Sequence, residues 1–211
     1  TVLSTAGGSF NLTISNSQIE YVSQAVAVNE HRAMFPLESI DDANGVGGFN
    51  PNRVEKGFIG AHSDIGGGYA GAGGDGGDLS DVALNWMYGQ AQAAGVQLSA
   101  LKPDQLTVSN PILHDETRVA PWNLPGMGGL SSDRDVRFKT ETVAMKSASL
   151  DGMTYAQSQS GGFITYNPPT VVTDPNTGVT NEIPCCGNRA GTVDMTKYRD
   201  WLQSNLGLTL P

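Results

Sequence analysis

The pattern of apolar and polar positions predicts a helix and a buried strand in the first quarter of the chain. Ser17 and Glu20 form a capping-box pair, and apolar residues recur behind them at helical spacing, which predicts a helix over residues 17–28. The consecutive apolar residues 25–28 fit a buried strand equally well. A second apolar run, at residues 54–61, predicts a short buried strand.

The clearest helix in the pattern follows a glycine-rich stretch. Apolar residues on one face predict this helix over residues 80–94, with Asp78 or Ser80 as its cap and Gly95 at its end. The order strand, glycine loop and capped helix is typical of α/β proteins, in which ligands meet the carboxyl ends of strands. The sequence therefore predicts the α/β fold class.

Residues 96–211 are predicted to form an irregular, loop-rich lobe, because prolines divide them into short pieces. Short strands are expected at residues 136–143 and 163–166. A final helix is expected over residues 195–205.

The charge of the chain excludes some partners. With 21 acidic and 12 basic residues the net charge is -9, which disfavours nucleic-acid binding and gives no help in docking to anionic membranes. The apolar runs are too short to span a bilayer, and residues 1–10 do not predict a signal peptide, so a soluble chain is expected. The adjacent Cys185 and Cys186 are predicted to be free thiols, which leaves the redox compartment open.

His62 is the first candidate for chemistry. It follows the predicted strand directly, so its ring is expected at a sheet edge as a proton-transferring base, or alternatively as a hydrogen-bonding loop cap. Asp64 either holds the His62 imidazole or bonds the amides of the glycine loop. Four residues of that loop are assigned to substrate approach, namely Gly66, Gly67, Gly68 and Tyr69.

Two further clusters have competing interpretations. His114 and Asp115 form a second-choice acid/base pair or belong to a solvated loop. Asp75 and Asp78 lie in a glycine repeat that resembles one calcium-binding nonapeptide, although a flexible glycine lid explains it too. His31, between two charged neighbours, is interpreted as part of a surface charge cluster. The 211 residues contain no G-x-S-x-G nucleophile elbow.

Several segments resemble one known family. They are NEHRAMFPL at 29–37, GAHSDIGGGY at 60–69 with LSDVALNWM at 79–87, and more loosely NPILHD at 110–115. The family is an α/β-hydrolase domain family, formerly uncharacterised, that includes the phospholipase effectors of the type VI secretion system. The resemblance covers about residues 20–118.

The resemblance implies a Ser-Asp-His triad that cleaves phospholipid acyl esters, with His62 as base and the role of Asp64 open. Residues 1–95 would be the C-terminal part of the hydrolase core. The serine and the acid would lie upstream of residue 1, in the same chain or on a separate one. Secretion-spike and immunity proteins would be partners, the target-cell periplasm the destination, and no cofactor is implied. The alternative is a non-enzymatic secreted binding or adaptor module, with calcium at the two aspartates.

Overall fold

A computed structural model describes residues 19–32, 35–40, 52–69, 76–124, 135–138, 141–144 and 151–210. The strands are β1 Val22–Ala27, β2 Leu37–Glu38, β3 Arg53–Phe58, β4 Ile112–His114, β5 Asp135–Phe138, β6 Glu141–Ala144, β7 Asp151–Gly152, β8 Ile164–Tyr166, β9 Thr170–Thr173, β10 Thr180–Ile183 and β11 Arg189–Val193. The helices are α1 His62–Gly66, α2 Ser80–Ala93, α3 Tyr155–Ser160 and α4 Met195–Leu206. Short 3-10 turns lie at Pro103–Gln105 and Glu116–Arg118. The described structure contains both helices and strands, and the strands form small sheets, which is consistent with the predicted α/β class.

A parallel sheet positions the candidate site. Its strand order is β1-β3-β7, and β3 is the central strand. β1 and β3 run in register, with Ala27 opposite Phe58 at their carboxyl ends. The chain segments that leave these two strands therefore lie side by side at one edge of the sheet.

The described structure contains three further sheets. β11 pairs antiparallel with both β4 and β8, and β9 with β10 forms a separate two-stranded ribbon. β2 pairs parallel with β5, which pairs antiparallel with β6. The sheet that contains β4 contacts the site through His114, which bonds to Asp64 of α1.

The first predicted helix is wrong where it can be compared. Residues 22–27 form β1, and residues 17 and 18 lie outside the described residues. Val26, Ala27 and Val28 are consecutive and buried, which a strand covered on both faces accommodates and a one-sided helix does not. Tertiary burial therefore overrides the capping-box preference, and the buried-strand interpretation of residues 25–28 is confirmed for residues 25–27.

The main helix prediction is confirmed, with Gly95 at the end of the helix, but the predicted N-cap at Asp78 or Ser80 is wrong. α2 ends before Gly95, whose φ of 82° is left-handed. Its N-cap is Leu79, which makes no side-chain capping bond. The carboxylate of Asp78 instead accepts hydrogen bonds from the amides of Ser109 at 2.6 Å and Asn110 at 2.9 Å, so it fixes the approach to β4.

The later elements follow their local patterns. The strand expected at 163–166 is present as β8, and α4 begins after Asp194, whose carboxylate caps the amide of Thr196 at 3.1 Å. The strand expected at 136–143 is divided into β5 and β6, which pair with each other. Residues 139–140 between them lie outside the described residues.

One hydrophobic core joins the central strand, α2 and the late elements. The Phe58 ring packs 5.3 Å from that of Trp86, and the buried hydroxyl of Tyr198 accepts a hydrogen bond from the amide of Ile59 at 3.1 Å. The core residues are Phe58, Ile59, Leu79, Val82, Ala83, Trp86, Val108, Leu113, Met153, Phe163, Ala190, Val193, Tyr198, Leu202 and Leu210. This packing fixes the end of β3, from which the candidate histidine follows.

Candidate active site

The carboxyl ends of β1 and β3 are fastened to each other just before the candidate residues. The amide of Asn29 donates to the carbonyl of Gly60 at 3.0 Å, and the Gly60 amide donates to Asn29 Oδ1 at 2.9 Å. Gly60 has a φ of 144°, and a Cβ there would lie 2.6 Å from the Cβ of Asp64. Glycine is therefore required at this point, where the chain turns from strand to α1.

His62 lies at this edge of the sheet as the first residue of α1, and it is exposed. Its amide donates to Glu30 Oε2 at 3.3 Å. The imidazole meets the ring of Phe35 at a centroid distance of 5.6 Å, in an edge-on arrangement. The backbone is thus fixed while the ring remains accessible, as a base that meets an incoming hydroxyl requires.

Asp64 is buried and bonds to a partner that the sequence did not suggest. Its Oδ1 lies 2.6 Å from Nδ1 of His114, and both side chains are 1% exposed. Its Oδ2 accepts from the amide of Ala61 at 3.0 Å and from the amide of His114 at 2.9 Å. The carboxylate therefore links α1 to β4 across 50 residues of sequence.

His114 is enclosed. The Tyr69 ring stacks on it with a centroid distance of 3.7 Å and an interplanar angle of 23°. The Tyr69 hydroxyl donates to Glu116, and Asn188 Nδ2 donates to the same carboxylate at 3.0 Å. Burial and the hydrogen bond to Glu116 raise the pKa of Tyr69 far above its ordinary value. The interpretation of His114 as a solvated loop residue is wrong, because β4 lies inside the fold.

Asp115, the other member of the second-choice pair, has a local role. It is the N-cap of the Glu116–Arg118 turn, and its carboxylate accepts from the amide of Thr117 at 2.9 Å. The His114 ring bonds to Asp64 instead. The structure thus places the two sequence neighbours in different hydrogen-bonding groups.

A buried ion pair lies next to His62, and sequence reasoning missed it. Glu30 accepts from Arg32 Nε at 2.8 Å and from Nη2 at 2.6 Å. The guanidinium lies 4.0 Å from the centroid of Phe35 and 4.9 Å from that of Trp122. Burial acts to lower the pKa of Arg32, but the hydrogen bond and charge of Glu30 outweigh it and raise that pKa.

The prediction that His31 belongs to a surface charge cluster is therefore wrong for its neighbours Glu30 and Arg32, which are buried. Glu30 and Arg32 are 3% and 9% exposed. Glu30, Arg32 and Phe35 all belong to the segment at 29–37 that carries part of the family resemblance, and the Phe35 ring lies over the Arg32 guanidinium.

The loop glycines end α1 and return the chain to Tyr69. Gly67 is the C-cap, with a left-handed φ of 78° that favours glycine. Gly68 donates from its amide to the Ser63 carbonyl at 3.0 Å, and Gly66 has open space around its Cβ position. Their predicted contact with substrate stays a prediction.

The calcium hypothesis at Asp75 and Asp78 stays a prediction, because only Asp78 is among the described residues. Asp75 lies outside the described residues, and the carboxylate of Asp78 bonds to the loop at 109–110. Within the described ranges no group of three metal-binding side chains occurs.

Both cysteines are free, as predicted. No helix in the described part of the chain is long and apolar enough to cross a membrane.

Fold and site together define a mixed α/β protein with an exposed histidine at the carboxyl ends of parallel strands. Residues 3–90 match the family model of the T6SS phospholipase effector Tle1-like catalytic domain. The matched segment contains His62, Asp64 and Tyr69, whereas His114 lies beyond it. The match supports the prediction of a hydrolase of the phospholipase class that is related to type VI secretion effectors. No curated protein and no solved structure matches the chain.

Proposed function

We propose that this chain is the C-terminal part of an α/β-hydrolase that cleaves the acyl esters of phospholipids, with His62 as the base of a Ser-Asp-His triad. One observation carries the proposal. An exposed histidine stands at the carboxyl edge of a parallel sheet, inside the segment that matches a phospholipase effector family. Active sites of α/β proteins are built at that edge.

Accessibility favours His62 over His114 as the base. A triad base must meet both the serine hydroxyl and the leaving group, so its ring needs an open side. His62 is exposed, whereas His114 is 1% exposed and lies between Asp64 and Tyr69.

The serine and the triad acid are proposed to come from chain outside these 211 residues. The sequence contains no G-x-S-x-G elbow, and Asp64 is engaged with His114. The missing groups would be supplied in the same polypeptide or by a separate chain, beside the free edge of β1. β1 is the outer strand of its sheet among the described strands, so another parallel strand can be added there.

The proposed reaction has two stages: transfer of the acyl group to the serine, and hydrolysis of the acyl-enzyme. The neutral imidazole of His62 takes the proton from the serine as the serine oxygen bonds to the ester carbonyl carbon. The resulting imidazolium then gives that proton to the departing lysophospholipid oxygen as the ester C–O bond breaks. Water, activated by the same imidazole, then releases the fatty acid and restores the serine.

The charge of the chain bears on where it acts. A net charge of -9 gives no attraction to anionic lipid, so contact with the substrate would depend on apolar groups and the site itself. The proposed destination is the periplasm of a target cell, reached with a secretion-spike protein and opposed by an immunity protein.

The proposal is tested with the complete protein and vesicles of phosphatidylcholine. The expected products are fatty acid and lysophosphatidylcholine, identified by mass spectrometry. A fluorophosphonate probe, which labels activated serines, is expected to block the reaction and to modify one serine.

Other outcomes would contradict the proposal. Release of phosphocholine or phosphatidic acid would show phosphodiester cleavage instead, and undiminished hydrolysis after the probe would rule out a serine nucleophile. A calcium-dependent thermal shift without hydrolysis of any ester would favour the binding-module alternative.

A further inference from the structure

We infer that His114 is a positioning residue, whose bond to Asp64 holds α1 and thereby His62 in the place that the reaction needs. The inference rests on the proposed function, because it concerns the geometry of the same base. It assigns the buried His114–Asp64 pair a role other than acid/base catalysis.

The connection to His62 runs through the backbone. Asp64 Oδ2 accepts from the amide of Ala61, the residue directly before His62, at 3.0 Å. The same oxygen accepts from the amide of His114 in β4 at 2.9 Å. One carboxylate oxygen therefore fixes the start of α1 against a neighbouring sheet.

The imidazole of His114 satisfies the other oxygen. Oδ1 lies 2.6 Å from Nδ1, so with Asp64 ionised the Nδ1 proton is donated to it. A buried carboxylate oxygen that loses its only donor carries a large desolvation cost. The Asp64 side chain lies close to Gly60, since a Cβ built on that glycine would be 2.6 Å from the Asp64 Cβ and 3.6 Å from its Cγ, which limits its freedom to turn toward another donor. Loss of the Nδ1 donor would therefore displace Asp64 and loosen α1.

The ring of His114 is itself held in one orientation. Tyr69 stacks on it, and the Tyr69 hydroxyl is anchored by Glu116, which also accepts from Asn188. Such an enclosure suits a group that holds another and hinders the approach of a serine or an ester. His114 therefore acts through Asp64 and α1, without contact with the reacting atoms.

Two variants of nearly identical shape separate positioning from proton transfer. His114→Asn keeps an N–H near the place of Nδ1 but cannot accept and release a proton in catalysis. His114→Leu has the same branched shape and no donor. In the complete protein, with phosphatidylcholine vesicles, we expect kcat of the Asn variant to stay within about threefold of wild type. We expect kcat of the Leu variant to fall about 100-fold, with KM nearly unchanged, because small misplacements of a catalytic group cost on this order.

The pH profile supplies a readout that altered packing alone would not move. In the Asn variant the acidic limb of kcat/KM should keep its midpoint, since the base is still His62. An Asn variant that is as inactive as the Leu variant while folded by circular dichroism would overturn the inference. Loss of the acidic limb in the Asn variant would do the same. The Asn variant can still refute the inference if the Leu variant does not fold, and a folded Leu variant with the kcat of wild type would also overturn it.

His62→Ala measured in parallel separates this inference from the proposed function. Full activity of His62→Ala would refute the proposed function. An inactive His62→Ala with an inactive but folded His114→Asn would refute only the positioning role.

Discussion

Replacement of His62 by alanine in the complete protein should lower kcat for phospholipid hydrolysis by about 10²–10⁴-fold, the usual contribution of a general base. KM should change little, because the imidazole acts on the serine proton and not on lipid binding. The measurement is steady-state release of fatty acid from phosphatidylcholine vesicles, and turnover near that of wild type would contradict the prediction.

The same substitution should leave the fold almost intact. His62 is exposed, and its ring meets that of Phe35 edge-on. Such contacts contribute about 1 kcal/mol or less when exposed, so the free energy of unfolding should fall by no more than about that amount. Urea denaturation of both proteins checks this. A loss of several kcal/mol would mean that the activity change reports unfolding.

Glu30→Gln should lower the free energy of unfolding more than either His62→Ala or Lys197→Met. The substitution leaves the guanidinium of Arg32, only 9% exposed, without its carboxylate partner and removes two charge-assisted hydrogen bonds. Breaking a buried ion pair from one side costs about 3–5 kcal/mol. Urea denaturation followed by circular dichroism measures the change in the free energy of unfolding.

A surface ion pair provides the matched control. Lys197 lies 3.4 Å from Asp194, with its side chain 58% exposed. Lys197→Met should leave the free energy of unfolding nearly unchanged, because water screens such pairs. An equal effect of both substitutions would show that burial of the Glu30–Arg32 pair does not govern stability.

Local patterns were sufficient to predict several elements. α2 has an apolar face with a glycine at its end, and α4 has a capping aspartate and Gly207, so their bounds follow from residues close in sequence. The order of β3, the histidine segment and α2 was also predictable. In these regions the local preference and the tertiary packing agree.

β1 shows where a local pattern fails. A capping box and a helical period favoured a helix. Val26 and Ala27 are nevertheless consecutive residues of β1 and both buried, as in a strand that is covered on both faces. The sequence of residues 17–28 gives no indication that β3 lies beside them. That information is tertiary.

The candidate site was predictable in part for the same reason. His62 could be selected because it follows an apolar strand and precedes glycines. The partner of Asp64 could not, since His114 lies 50 residues away and meets it only after β4 is placed beside α1. Likewise, the burial of Arg32 depends on Trp122, whose ring reaches the site from a distant loop.

Chemical rescue of His62→Gly by imidazole tests the identity of the base most directly. The ring of His62 is exposed, so imidazole from solution can reach the space that glycine leaves. Hydrolysis by this variant should rise with imidazole concentration, by at least about tenfold at saturation, whereas His114→Gly should gain nothing comparable because its site is closed by Tyr69. Rescue of His114→Gly, with no response from His62→Gly, would contradict the account.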